Sequence, residues 1–234
     1  MNSFDISIIH YFNSFAGSYQ FFDLAINSLA NSNFLKMTLP VISLWWGWFM
    51  VSPREKDNRL IIISTFISAF VGLFLARALT FILPFRLRPM HETQLDFTLP
   101  FGSSLEVLDG WSSFPSDHAV LLFTLITGVF LISKRLGVFV LLYSVIVALI
   151  PRIYLGLHYP TDIIAGAILG VSITIIFNRE YFIDKFSKPI LELSNSKPEI
   201  FYPIFFLISF QASDLFEGFR AVASMLKEGL KLIL

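Results

Sequence analysis

Two histidines and three charged partners, His118, His158, Arg88, Arg152 and Asp162, are the residues whose types and spacing can do chemistry here. His118 closes the stretch Phe114-Pro115-Ser116-Asp117-His118. Pro115 breaks what precedes it and Ser116 is a good N-cap, so a helix begins there with its first amides facing the preceding loop. Free N–H groups at a helix start attract an anion. In the stretch from Pro151 to Asp162, Pro160 suits a first helical turn, and Asp162 stands four residues beyond His158. A carboxylate at that spacing can reach back to the imidazole, fix its tautomer and leave the other ring nitrogen to attack or to bind a metal. Arginine forks match phosphate oxygens and hold the charge that builds during phosphoryl transfer. One histidine can attack phosphorus while a second protonates the leaving oxygen. Phosphate-ester hydrolysis through a phosphohistidine fits all five residues.

The elements that must position these groups are apolar. Of the 234 residues 55% are hydrophobic and 15% charged, with a mean hydropathy of +0.71, which excludes an ordinary soluble domain. The 17 Lys and Arg balance the 17 Asp and Glu, leaving no basic excess to hold nucleic acid. Without cysteine there is no disulfide framework, thiolate nucleophile or Cys-based metal site. Leu60 to Leu83 is long enough for the ~20 residues that cross a bilayer core. Leu35 to Ser52 is a second span, kinked at Pro40. Ala119 to Ser133, Leu136 to Ile150 (or on to Leu155) and Thr161 to Phe177 follow.

The expected fold is therefore an all-α polytopic bundle of five spans, or six if residues 5–34 also cross. Those N-terminal residues mix Phe, Ile and Leu with Asn, Ser and His, and read as interfacial amphipathic helices. Phe201 to Phe210 is too short to cross, and Ser213 to Leu234 reads as an amphipathic helix lying on the membrane. The organisation is thus an N-terminal segment 1–34, an embedded core 35–178 and a membrane-associated tail 179–234. The basic loops Pro53 to Arg59, Lys134-Arg135 and 179–188 belong on the cytoplasmic side. Phe85 to Asp117 and Pro151 to Pro160, which carry both histidines, then share the opposite, extracytoplasmic side.

Three stretches in order, Arg88-Pro89, Pro115-Ser116-Asp117-His118, and Arg152 with His158 and Asp162, resemble the signature of the phosphatidic acid phosphatase type 2 family of membrane phosphatases. The similarity runs from about residue 60 to 178. It implies that His158 is the nucleophile, Asp162 its orienting partner, His118 the general acid, and Arg88, Arg152 and Ser116 phosphate ligands, with no metal or other cofactor. The implied substrate is a lipid or isoprenoid phosphate or diphosphate; undecaprenyl diphosphate and phosphatidyl-type phosphates both fit. The implied place is a bacterial inner membrane with the site facing the periplasm or cell exterior. Three positions depart from the signature. Phe81 stands at the family lysine, and Arg77 or, preferably, Arg86 could supply that cation. Asp117 replaces a glycine, keeping a backbone donor for phosphate but adding a carboxylate that must turn away. Pro151 replaces a serine. A lipid phosphotransferase using the same intermediate and a catalytically inactive membrane scaffold are the alternatives.

Overall fold

Asn2, Ser32, Ser116 and Ser133 each cap a helix by accepting a backbone N–H three residues on, and these caps fix where the chain turns. The computed structural model describes residues 2–214, and the expected amphipathic stretch beyond Asp214 lies outside the described residues. Two helices, α1 (Ser3–Asn13) and α2 (Gln20–Asn31), precede α3 (Asn33–Phe49) and the long α4 (Glu55–Ile82). An extended loop leads to α5 (Asp117–Ile132), α6 (Lys134–Tyr154) and α7 (Pro160–Phe177). Helices α8 (Lys188–Ser196) and α9 (Pro198–Ser213) complete the described chain. By length and composition α4, α6 and α7 can each cross a membrane, and α5 is a shorter apolar helix.

The bundle is built around α5, which packs against α3, α4, α6 and α7. Leu121, Leu122, Leu125, Ile126 and Val129 are all buried, as a helix apolar all round must be when neighbours enclose it. Between α5 and α7 the backbones nearly touch. A Cβ added at Gly166 would lie 2.6 Å from the Ser116 carbonyl oxygen, and one at Gly170 would lie 2.4 Å from that of Val120. Two small residues four apart make this close approach possible, in the manner of membrane helix pairs. The crossing sets the start of α5, which carries His118, directly against the start of α7, which carries Asp162.

Pro151 lies inside α6, and a π-helical turn over Val145–Leu149 immediately precedes it. A proline removes one backbone donor and crowds the carbonyl four residues back; the wider turn accommodates both effects and lets the helix reach Tyr154. The Phe201–Phe210 run is embedded in the longer α9, which lies antiparallel along α3. Trp48 donates to the Tyr202 hydroxyl at 3.3 Å near one end, and Asn33 donates to Asp214 at 3.3 Å at the other. Phe201 and Phe205 are buried against Trp48. Aromatic area of this size stabilises a packed helix far more than an exposed surface position would.

Helices α1 and α2 sit on the end of the bundle that holds the histidine loops. Asn13 exchanges two hydrogen bonds with Thr98, at 2.7 and 2.9 Å. Buried Asp23 accepts from the amides of Gly17 and Phe101 at 2.9 Å and from the Tyr154 hydroxyl. The N-terminal segment thus straps the long loop to the end of α6.

Candidate active site

A cavity of about 100 Å³ opens at this end, and Arg77, Arg88, Asp117, His118, Arg152 and His158 line it, together with Ser112 and Trp111. They come from five different pieces of chain. Arg77 is on the last turns of α4, Arg88 on the loop after it, Asp117 and His118 on the first turn of α5, Arg152 on the last turn of α6, and His158 between α6 and α7.

Arg88 is buried and stitches the loops together. Its Nη1 donates to the Leu157 carbonyl at 2.5 Å, its Nη2 donates to the Ser112 carbonyl at 3.2 Å, and Nη1 lies 3.5 Å from His158 Nε2. Burial draws its pKa below the ordinary value, with the Asp117 and Asp162 carboxylates opposing, and a guanidinium stays protonated regardless. The Nε atoms of Arg77 and Arg88 are buried without an acceptor among the described residues. An unsatisfied buried donor of this kind costs about 1–3 kcal/mol.

His158 is 2% exposed. Its Nδ1 donates to the Ser113 carbonyl at 2.9 Å, while the Asp162 carboxylate stands 3.7 Å away. The hydrogen-bond acceptor is therefore the Ser113 carbonyl, and Asp162 acts as a nearby charge. Asp162 is held by accepting the Tyr159 amide at 2.8 Å, at the start of α7. With the proton on Nδ1, the Nε2 lone pair faces Arg88 and the cavity. Burial lowers the His158 pKa below the usual histidine value; Asp162 opposes this, and Arg88 and Arg152 add to it. The lowering favours the neutral ring.

His118 is oriented by its own neighbour. Asp117 Oδ1 lies 3.1 Å from His118 Nδ1, and Oδ2 forms an ion pair with Arg77. The carboxylate that replaces the family glycine thus pairs with Arg77, and both side chains line the cavity. Arg77 also stacks at 5.6 Å over the Trp111 ring.

Two expected phosphate ligands are placed differently. Arg86, the preferred substitute for the family lysine, does not line the cavity. It points the other way because two buried carboxylates capture it, Asp5 at 2.7 Å and Asp162 at 2.5 Å. Arg77 is the one that reaches the cavity; Phe81, at the lysine position, is exposed. The Ser116 side chain is fully buried as the cap of α5, accepting the Ala119 amide at 3.4 Å, and the cavity is lined by Pro115 and Asp117 on either side of it. Sequence reasoning missed Ser113, whose carbonyl is anonymous in a sequence. It also missed Asp5. Residues 1–35 hold two carboxylates, Asp5 and Asp23, and no Lys or Arg, so each needed a distant cation or donor set; that was the available signal.

A family model described as the PAP2 superfamily matches residues 57–183, more than half of the chain. The chain belongs to the PAP2 superfamily. Among curated relatives, it is 29% identical over 168 residues to the bacitracin transport permease protein BcrC of Bacillus licheniformis, covering 71% of this chain and 75% of BcrC. It is 27% identical over 128 residues to the YbjG protein of Escherichia coli (strain K12), provisionally named an undecaprenyl-diphosphatase, covering 54% of this chain and 57% of YbjG. The crystal structure of Aquifex aeolicus LpxE shares the fold, with a TM-score of 0.50 at 22% identity over 73% of this chain and 92% of LpxE. This PAP2 protein is an all-α integral membrane protein, and its three signature stretches converge on the cavity.

Proposed function

We propose that this chain is a membrane phosphatase that hydrolyses a lipid or isoprenoid phosphate or diphosphate through a phosphohistidine on His158. The observation that carries the reading is the convergence of two imidazoles and three guanidiniums on one small cavity at the end of an apolar bundle. An anion held by Arg88, Arg152 and Arg77 presents phosphorus to His158 Nε2. As the N–P bond forms, the P–O bond to the leaving group breaks and His118 gives the departing oxygen a proton. Water then attacks the phosphohistidine, with the same imidazole of His118 taking up its proton. The protein groups supply every charge this scheme requires, so the reaction proceeds without a metal.

The name of YbjG points to an isoprenoid diphosphate as the first substrate to try. The basic residues Arg54, Lys56, Arg59, Lys134, Arg135, Arg179, Lys185 and Lys188 gather at the bundle end opposite the cavity. By the positive-inside trend this supports a cavity on the periplasmic or outer face of a bacterial inner membrane, where a headgroup can enter while its tail stays in lipid. The test is phosphate release by purified protein in detergent with excess EDTA, from undecaprenyl diphosphate and from phosphatidic acid, with an alkaline quench to trap phosphohistidine. Release that disappears on chelation and returns with magnesium would refute the metal-free scheme. Phosphate found on an added alcohol acceptor in preference to water would make the chain a transferase.

A further inference from the structure

Arg86 and Asp5 belong to no signature stretch, yet both reach the back of the nucleophile's pocket. Arg86 Nη1 donates to Asp162 Oδ1 at 2.5 Å and to the Thr161 hydroxyl at 2.9 Å, while Nη2 donates to Asp5 Oδ2 at 2.7 Å. The guanidinium lies 4.0 Å over the Tyr159 ring. Asp5, wholly buried, also accepts the Thr161 amide at 3.0 Å and the Thr161 hydroxyl at 2.6 Å, capping the first turn of α7. The backbone of Arg86 holds the other group that faces His158 Nδ1. Its carbonyl accepts the Ser113 amide at 2.9 Å, and its amide donates to the Ser112 hydroxyl at 3.2 Å. One residue therefore fixes both the carbonyl that accepts the Nδ1–H hydrogen bond and the carboxylate behind it.

We infer that Arg86 and Asp5 are positioning residues for the His158 nucleophile, forming an Asp5–Arg86–Asp162 relay, with both carboxylates buried, that sets both the orientation and the net charge behind its ring. The inference rests on His158 being the nucleophile. When Nε2 bonds to phosphorus and the P–O electron pair leaves with the oxygen, Nδ1 keeps its proton, and the ring gains positive charge. Two carboxylates and one guanidinium leave a net negative charge behind that ring, which favours the charged intermediate. Arg86 without Asp5 would cancel Asp162. Asp5 thus allows Asp162 to be clamped by an arginine without losing its influence on the histidine, and it makes α1 part of the catalytic apparatus. The charged groups that face or act on His158 from the other elements are Arg88, Arg152, Asp162 and Asp117.

The test compares Arg86→Gln, Arg86→Lys, Asp5→Asn and the Asp5→Asn/Arg86→Gln double variant with the wild type, measuring kcat, KM, the acid limb of kcat/KM and trapped phosphoenzyme. Arg86→Gln should lower kcat at least about tenfold with KM changed less than about twofold, and Arg86→Lys should recover part of the loss. Asp5→Asn removes one negative charge and should move the acid limb to lower pH by about 0.3 unit or more, given the Coulomb interaction at protein-like dielectric. The double variant restores the net charge and should bring the limb back toward the wild-type position. A rise in KM at constant kcat in Arg86→Gln would make Arg86 a phosphate ligand and overturn the inference. So would an unmoved limb in Asp5→Asn, or losses in all variants that track thermal stability alone. If Arg86→Gln does not fold, Asp5→Asn and Arg86→Lys decide by the same criteria. A wild type that turns over without any phosphohistidine defeats the nucleophile assignment itself, and the relay with it, whatever the variants do.

Discussion

The cavity joins two units of the same composition, each a histidine, an aspartate and an arginine, and the two are built to different degrees of closure. His158, Asp162 and Arg86 form the inner one, with the histidine 2%, the aspartate 0% and the arginine 26% exposed. His118, Asp117 and Arg77 form the outer one, with side chains 15%, 20% and 30% exposed, and all three line the cavity. In the inner unit the arginine faces away from the cavity and is locked by a second carboxylate; in the outer unit it faces in. A buried pair held from several sides has one arrangement, whereas a part-exposed pair in higher dielectric can exchange partners at modest cost. The inner unit suits a nucleophile that must be aimed, and the outer one suits a proton donor and a cation that must adapt as a leaving group departs.

The largest expected effect breaks the inner unit. His158→Ala should lower turnover by about 10⁴-fold or more and abolish phosphoenzyme, as loss of a covalent nucleophile does; near-wild-type turnover would mean that the roles of the two units are misassigned. His118→Ala should cost about 10²–10⁴-fold with a lipid alcohol as leaving group. With a leaving group that needs no proton, such as p-nitrophenolate, the loss in phosphoenzyme formation should shrink, and phosphoenzyme should accumulate above the wild-type level because its hydrolysis still lacks the base. Equal losses on both kinds of substrate would show that the outer histidine does not deliver the proton.

The inner unit is also where the sequence was least legible. Periodicity and length placed α4, α5, α6 and α7 to within a few residues, because an apolar run bounded by Ser, Pro or charge has few other ways to satisfy its backbone in lipid. The residues Arg88, Asp117, His118, Arg152 and His158 were also readable, since each sits at the mouth of such a run. What could not be read was which guanidinium faces the cavity. Arg86 and Arg77 differ by the presence of Asp5, which lies 81 positions away in sequence from Arg86, and no local pattern announces a contact of that range. For the same reason the spacing of His158 and Asp162 suggested a direct hydrogen bond, whereas a loop carbonyl from residue 113 arrived first.

The seam between the units can be tested apart from either. Gly170→Ala puts a methyl group 2.4 Å from the Val120 carbonyl oxygen, and overpacking of that kind costs about 1–3 kcal/mol. Thermal unfolding in detergent should reflect that loss, and kcat should fall with it because the starts of α5 and α7 separate. A variant as stable and active as the wild type would show that the two units do not depend on this crossing for their spacing.

A smaller effect is expected from the outer pair, and it should run through different constants from the inner one. Arg77→Gln should raise KM for the phosphate head about fivefold to tenfold, the loss of roughly 1 kcal/mol or a little more of charge-assisted binding, with kcat nearly kept. Asp117→Asn releases Arg77 and should leave KM equal or lower, while kcat falls severalfold because His118 loses a charged acceptor at Nδ1. If Arg77→Gln changes neither constant, the position of the missing family lysine is filled by no cation at all. If it lowers kcat alone, the outer arginine behaves like the inner one, and the distinction drawn from where the two arginines face fails.

The least perturbing measurement is the wild-type pH profile. Burial and the guanidiniums of Arg88 and Arg152 hold the His158 pKa below the ordinary histidine value of about 6.5, against the pull of Asp162. The neutral form is the one that attacks, so activity is retained as pH falls to that ordinary value and is lost only as it passes through the lowered one. The same shift acts on stability. The unfolded chain takes up a proton near pH 6.5 that the folded ring refuses, so this group destabilises the fold progressively as pH drops below that point. The substrate's own titration must be separated, which ³¹P NMR of the free substrate allows. An acid limb in kcat/KM at or above pH 6.5, after that correction, would mean that Asp162 outweighs burial and both arginines, and that the inner unit attacks from a ring held close to protonation.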